Sequence, residues 1–222
     1  MPRPATAESG FSQTPPHPGA ITDESALREL LGAPSELVQA KVCDRLNDLT
    51  RQFVDRSPFL CLATSSPDGT CDVSPRGDPP GFVRVLDERT LLLPERPGNR
   101  LADSLRNILG NPHVGLLFIV PGVSDTLRIN GRAELVDDAE LLEPLAVEDK
   151  APKLGLRIEI DEVFTHCSKA FLRSKLWDPA RFVERSELPS SGEIHRERDP
   201  GFDAEIYDSD RAERYARREG FY

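Results

Sequence analysis

Between Phe59 and Val136 the chain runs through short apolar stretches separated by Pro- and Gly-rich turns, and this pattern restricts the possible folds more than any other feature. FLCLAT has the length and composition of a buried strand, SPDGT carries Pro-Asp-Gly turn chemistry, and CDVSPRG returns as an antiparallel partner. FVRVLD and TLLLPE read as a second hairpin around Asp87-Glu88-Arg89. VGLLFIV is apolar almost throughout, which predicts a strand buried on both faces. In TLRINGRAELV, Gly131 marks a bulge or a close approach of another backbone. Leu156, Ile158 and Ile160 alternate with Arg157, Glu159 and Asp161, the signature of a strand with one wet face. Antiparallel strands with a turn about every 8–12 residues predict a mainly-β domain, a small barrel or a sandwich.

Helices are expected to flank these strands. Thr22 is positioned to N-cap DESALRELLG, and Gly32 to end it. Val38, Val42, Leu46, Leu49 and Phe53 recur at helical spacing, which predicts a single helix of about five turns. Asn99–Leu109 reads as a helix with Leu101, Leu105 and Ile108 on one side. A short helix is expected over Ala139–Leu145, another in HCSKAFLRSKLWDP up to Pro179, and a last one over Asp208–Glu219. Residues 1–20, rich in Pro, Ser, Thr and Gly, read as a flexible lead-in; residues 21–182 as the folded domain; residues 183–222 as a charged tail with few core residues.

A chain of 222 residues suffices for one well-cored domain with appendages. Its net charge of −10 argues against a general nucleic-acid binder, which needs a broad basic face. No apolar run approaches the roughly 20 residues that span a bilayer, and the first residues lack the apolar centre of a secretory signal, so a cytoplasmic protein without membrane association is expected. Cys43, Cys61, Cys71 and Cys167 form no CxxC pair, which predicts thiols and no metal site. Cys61 and Cys71 flank the SPDGT turn and are expected to face each other across it. There is no GxSxG, no HExxH and no Gly-rich phosphate loop, and the four histidines are scattered, so no catalytic residue is identified.

The arginines near the turns form the better constellation. Ser74 and Arg76 are two apart on a strand and so share a face. Arg96, Asn99 and Arg100 occupy the following strand-to-helix turn, with Ser104 and Arg106 one turn further on. Hydroxyls, guanidiniums and a helix N-terminus together suit a phosphate. The alternative is that these arginines pair with Asp78, Glu88, Glu95 or Asp103. A second cluster contains His166, Cys167, Lys169, Arg173, Ser174 and Trp177, in which Lys169 and Arg173 share a helix face.

The order DVSPRGDPPGFVRV, LLLPERPGNRLADSLRNI, NPHVGLLF, TLRINGRAEL, HCSKAFLRSKLWDP resembles the pyridoxamine 5'-phosphate oxidase-like, FMN-binding split-barrel superfamily, over roughly Ile21 to Pro179. It is most similar to the branch of FMN-dependent enzymes whose substrate is unassigned. The resemblance implies a six-stranded antiparallel split β-barrel with flanking helices, a homodimer, and FMN at the subunit interface. By position, Ser74, Arg76, Asn99, Arg100 and Ser104 would hold the cofactor phosphate, while Cys167, Lys169 and Ser174 would approach the same cofactor, from the partner subunit in the dimer. The charged tail would then pack on the dimer. The Arg-x-His motif by which true oxidases grip pyridoxal phosphate is not recognisable; GEIHRERDP carries His195 and Arg196 in an acidic setting. The implied activity is an FMN-dependent oxidoreductase acting on a small molecule. The alternatives are a non-catalytic flavin-binding or stress-related protein and a deazaflavin-dependent reductase of the same fold.

Overall fold

A computed structural model describes residues 17–222, and the sequence reading of residues 1–16 lies outside it. The chain divides into two compact units, one within residues 1–40 and one over residues 41–222. In the first, α1 (Glu24–Leu31) is capped by Asp23, whose carboxylate accepts from Ala26 N at 2.9 Å, and Gly32 ends it at φ 73°. The cap is therefore one residue later than Thr22, where a carboxylate also meets the positive end of the helix. A single turn, α2 (Glu36–Gln39), follows behind Ser35.

The long helix expected from Val38 to Phe53 does not form. Cys43 exchanges both backbone hydrogen bonds with Val163, at 3.1 and 2.7 Å, which holds this stretch extended. A new helix, α3 (Asp48–Arg56), starts only where Asn47 and Thr50 cap each other reciprocally. The 3.6-residue apolar spacing was thus shared between a helix and an extended segment, and strand pairing overrode it.

The second unit is built on β1 (Phe59–Ser65), β2 (Cys71–Gly77), β3 (Arg84–Asp87), β4 (Thr90–Pro94), β5 (His113–Ile119), β6 (Thr126–Val136) and β7 (Gly155–His166), all antiparallel. Their order in the sheet is β2-β1-β5-β6-β7-β4-β3. Both hairpins read from the sequence are present. The count is seven strands where six were expected, and no ladder among the described residues joins the edges β2 and β3 into a closed barrel. In β7 the first half, Gly155–Glu159, pairs with β6 on one side and β4 on the other; the second half keeps β6, and on its other side Ile160 N reaches Arg89 O at 2.8 Å and Val163 pairs with Cys43.

The sheet nevertheless curls about one core. Leu60 and Leu62 of β1 join Leu91 and Leu93 of β4 in the same buried cluster as Leu116, Phe118, Ile129 and Ile158. Each such side chain, fully buried, stabilises the fold by about 1.5–3 kcal/mol relative to exposure. Leu92 faces the other way and packs on Leu142 and Leu145, from α5 (Ala139–Leu142) and the 3-10 turn after it. Gly131 is the expected close approach: a Cβ there would collide with the carbonyl of Glu159, and the β6–β7 register shifts beside it, where β7 carries the extra residue Asp161 opposite the Asn130–Gly131 step. β5 departs from the sequence reading. Val114, Leu116 and Phe118 are buried, whereas Gly115, Leu117 and Ile119 are only half-buried on the outer face. Cys61 also does not face Cys71; it stands opposite Pro75, because the hairpin register places Ser65 against Cys71.

Three further helices complete the unit after β7: α6 (Lys169–Ser174), α7 (Ser191–Arg198) and α8 (Ala204–Ala216), while α4 (Asp103–Gly110) lies between β4 and β5. No helix among the described residues is long and apolar enough to cross a membrane.

Candidate functional site

The alternation of β2 decides the site. Asp72, Ser74 and Arg76 point to one, half-buried face, while Cys71, Val73 and Pro75 point outward. α4 lies against that region: Asn107 donates from Nδ2 to Thr64 Oγ1 at 2.9 Å, and Asn111 donates to Ser65 Oγ at 2.9 Å. Ser104, in the first turn of α4, is thereby carried over β2 and is 4% exposed.

The helix begins at Asp103, four residues later than Asn99, because the chain turns through left-handed backbone at Arg100 (φ 63°) and Ala102 (φ 56°). Asn99 and Arg100 therefore sit on the loop before the helix. Asn99 Oδ1 accepts from Leu101 N at 3.0 Å. Ala102 is the N-cap residue and has no side chain that could cap the helix, so α4 starts without a side-chain cap.

A polar chain links these groups. Arg76 Nε donates to Ser74 Oγ at 3.2 Å, Ser74 and Ser104 hydroxyls lie 3.1 Å apart, and Ser104 donates to Asp72. Arg76 also forms an ion pair with Glu95, both largely buried. Ser74, Arg76, Asn99, Arg100 and Ser104 all line one cavity of about 290 Å³, together with Asp72 and Glu95. A second space of about 360 Å³ shares Ser74, Arg76, Gly98 and Asn99 with it.

Cys167, Lys169 and Ser174 are not brought to this cavity within one chain. They lie exposed at the end of β7 and on α6, where Ser174 Oγ donates to Phe171 O at 3.1 Å and Trp177 Nε1 donates to Val123 O at 3.0 Å. Arg96, a neighbour of the site in sequence, is committed elsewhere. Its guanidinium donates to Asp78 Oδ2 at 2.6 Å and to Leu145 O at 2.7 Å, and it lies 5.1 Å over the ring of Tyr222. Tyr222 in turn donates to Asp78 Oδ1 at 2.8 Å; burial first, and then this bond, hold the phenol above its ordinary pKa.

Sequence reasoning missed Asp72 and Tyr222. Asp72 was accessible, since it stands two positions before Ser74 on the same strand face. Tyr222 carried no local signal.

The outer face of the sheet is a second feature. Pro75, Cys61, Leu117, Arg128 and Phe164 are successive neighbours across β2, β1, β5, β6 and β7. Arg128 pairs with Glu162 and lies 5.1 Å over Phe164, yet its Nε is buried without a hydrogen-bond partner. His166, edge-on to Phe164, is held below its ordinary pKa by burial and then by Arg128.

No curated protein matches the sequence. Among solved structures, HupZ of Group A Streptococcus is 18% identical, with a TM-score of 0.45 over 54% of this chain and 93% of its own. General Stress Protein 26 from Bacillus anthracis is 15% identical, with a TM-score of 0.41 over 54% and 94%. An FMN-binding protein from Syntrophomonas wolfei is 13% identical, with a TM-score of 0.41 over 65% and 96%. The profile of the pyridoxamine 5'-phosphate oxidase family matches residues 46–167, from the start of the core to the end of β7. That stretch is over half of the chain and includes every strand, and on this match the chain belongs to the pyridoxamine 5'-phosphate oxidase family.

Proposed function

We propose that this protein is an FMN-dependent oxidoreductase of that family whose cofactor phosphate is held by Ser74, Arg76 and Ser104, with Asn99 and Arg100 at the mouth of the cavity. The observation that carries the reading is the convergence of one guanidinium, two hydroxyls and an uncapped helix start on a single cavity of about 290 Å³. Each is a donor, and together they match the acceptor-only chemistry of a phosphate monoester. Asp72 and Glu95 oppose the anion. A bound phosphate would take Ser104 from Asp72 and share Arg76 with Glu95, which sets its affinity below that of an uncompensated guanidinium.

FMN, when bound, supplies the redox chemistry itself, and the protein contributes binding, orientation and electrostatics. This division fits a site in which no acid–base pair of side chains stands out. Arg76 neutralises charge, the hydroxyls fix direction, and the wall of α4 limits water.

The reading includes a homodimer, with Cys167, Lys169 and Ser174 reaching the cofactor of the other copy. It is supported by the outer face of the sheet, where Phe59, Cys61, Ala63, Val73, Leu117 and Ile119 present apolar or small side chains that a second copy would cover. The six-stranded split barrel belongs to the same reading, with β3 as an added edge. A cytoplasmic setting agrees with four cysteines present as thiols.

Flavin titration tests the core of the proposal. Wild-type protein should bind FMN more tightly than riboflavin, which lacks the phosphate. Arg76→Ala should lose a charge-assisted contact of roughly 1.5–3 kcal/mol, about ten- to a hundredfold in affinity for FMN alone. Equal binding of FMN and riboflavin, or an unchanged Arg76→Ala, would show the cradle to be misassigned. Tight binding of a phosphorylated deazaflavin in place of FMN would move the assignment to the deazaflavin reductases, and flavin binding without turnover of any reduced nicotinamide would favour a non-catalytic flavoprotein.

A further inference from the structure

A cleft of about 780 Å³ adjoins the cradle on the far side of the Gly98–Asn99 loop, which lines both spaces. Its other wall is α8. Tyr207, Arg211, Arg214 and Tyr215 stand at positions i, i+4, i+7 and i+8 of that helix and so form one stripe. The stripe is fixed in place. Arg211 Nη1 donates to Ser191 Oγ of α7 at 2.9 Å, Gly192 N donates to Asp208 Oδ1 at 3.0 Å, and Tyr207 packs against Phe202 and His195 at ring distances of 5.3 Å.

Charge in the cleft is unbalanced. Arg96 is neutralised by Asp78, and Glu219 by Arg217. Arg211 and Arg214 form no ion pair among the described residues. Arg211 is engaged first by Tyr215, whose hydroxyl accepts from its Nε at 3.3 Å and whose ring lies 4.9 Å beneath its guanidinium, so one face of that ring is already covered; Asp208 attracts Arg211 more weakly, from beyond ion-pair distance, and is itself engaged by Gly192. Arg214 makes one long bond, from Nε to Asp210 O at 3.4 Å, which leaves its terminal N–H groups free. Two uncompensated guanidiniums in one cleft are notable in a chain whose net charge is −10. Guanidinium forks select phosphate or carboxylate, tyrosine rings select flat partners, and the volume lies in the range of small-ligand sites, roughly 300–1,000 Å³.

We propose that this cleft is a second ligand site, selective for a planar aromatic anion of nucleotide type, with Arg214 and Arg211 on the anion and Tyr207 and Tyr215 against the ring. Its position beside the cradle makes it the place for the second reactant; this last part rests on the flavin reading, while the site itself does not.

Calorimetric titration of the full chain with AMP, adenosine and inorganic phosphate, each with and without saturating FMN, tests the site. AMP should bind in both states, at least tenfold more tightly than adenosine or phosphate, because only AMP supplies ring and anion together. Arg214→Gln should weaken AMP about tenfold, Arg214→Lys should restore part of it, and both should leave FMN affinity unchanged. Arg76→Ala should do the reverse. Arg214 is exposed and makes no structural ion pair, so its variants should retain the wild-type circular dichroism spectrum. Absence of AMP binding at millimolar concentration, equal affinity in Arg214→Gln, or displacement of AMP by FMN would overturn the proposal. AMP binding with the stated Arg214 dependence in a protein that refuses FMN would sustain this site and remove the flavin reading instead.

Discussion

The hydroxyl of Tyr222 donates to Asp78 Oδ1 at 2.8 Å across a sequence separation of 144 residues. Asp78 immediately follows β2, and its other oxygen accepts from Arg96 Nε at 2.6 Å, at the end of β4. Arg76 and Glu95, just inside these two positions, form the ion pair of the cradle. The strand ends are thus tied by two charged rungs, Arg76–Glu95 and Asp78–Arg96, and Tyr222 closes the outer one.

Replacing Tyr222 by Phe keeps the ring over Arg96 and removes one hydrogen bond to a carboxylate that is 3% exposed. Urea melts at neutral pH should show a loss of about 1–2 kcal/mol. The pH dependence has a definite sign. The folded-state phenol titrates above its ordinary value, so its contribution is complete below about pH 10 and disappears as pH rises through the raised value. Tyr222→Phe should therefore lose less stability than wild type on the alkaline limb.

Glu95 holds Arg76 in competition with any phosphate. Glu95→Gln keeps the size of the side chain and removes its charge. FMN affinity should rise by about tenfold in that variant, read by quenching of flavin fluorescence, and the gain should vanish in the Arg76→Ala background.

Gly131 has no room for a side chain, since a Cβ would strike the backbone of β7 at Glu159 rather than a flexible tip. Gly131→Ala should cost about 3 kcal/mol or more, measured by chemical denaturation, because the longest strand pair in the sheet must separate to admit it. Gly69→Ala, at the β1–β2 turn, meets open space but sits at φ 86°; its smaller cost would come from backbone strain alone.

Asp44 titrates at about 2, held down by its hydrogen bonds to Arg45 and then Arg89. A depressed carboxylate contributes stability that is present above the unfolded value near 4 and lost as pH falls through 2. Asp44→Asn should flatten that part of the acid limb, as followed by circular dichroism between pH 4 and 2.

Leu117 lies at the centre of the outer sheet face, between Cys61 and Arg128. If a second copy covers that face, Leu117→Glu should yield monomers by light scattering at micromolar concentration, because a buried unpaired carboxylate is strongly penalised. An unchanged dimer mass would assign the association to another surface.

Period-two alternation placed β7, while the apolar run FLCLAT and the SPDGT turn placed β1 and β2, because a strand beside a tight turn needs an antiparallel partner and one apolar face. Spacing by two also put Ser74 and Arg76 on a common side, and the glycine in TLRINGRAELV already marked the close approach of another backbone. Local chemistry could not show that Cys43 would pair with Val163, since that pairing depends on β7 outrunning β4 and leaving an open edge. Nor could it reveal that Arg96 would turn to Asp78 while Arg76 turned to Glu95. Both arginines have equal intrinsic affinity for a carboxylate, and only the three-dimensional approach of the two strand ends chooses the partners. Sequence alone determined which faces are apolar and which residue types are offered at the rim. Tertiary structure decided which of those charges remain available, because an ion pair is fixed by distance in space, and distance in space is set by how the sheet curls.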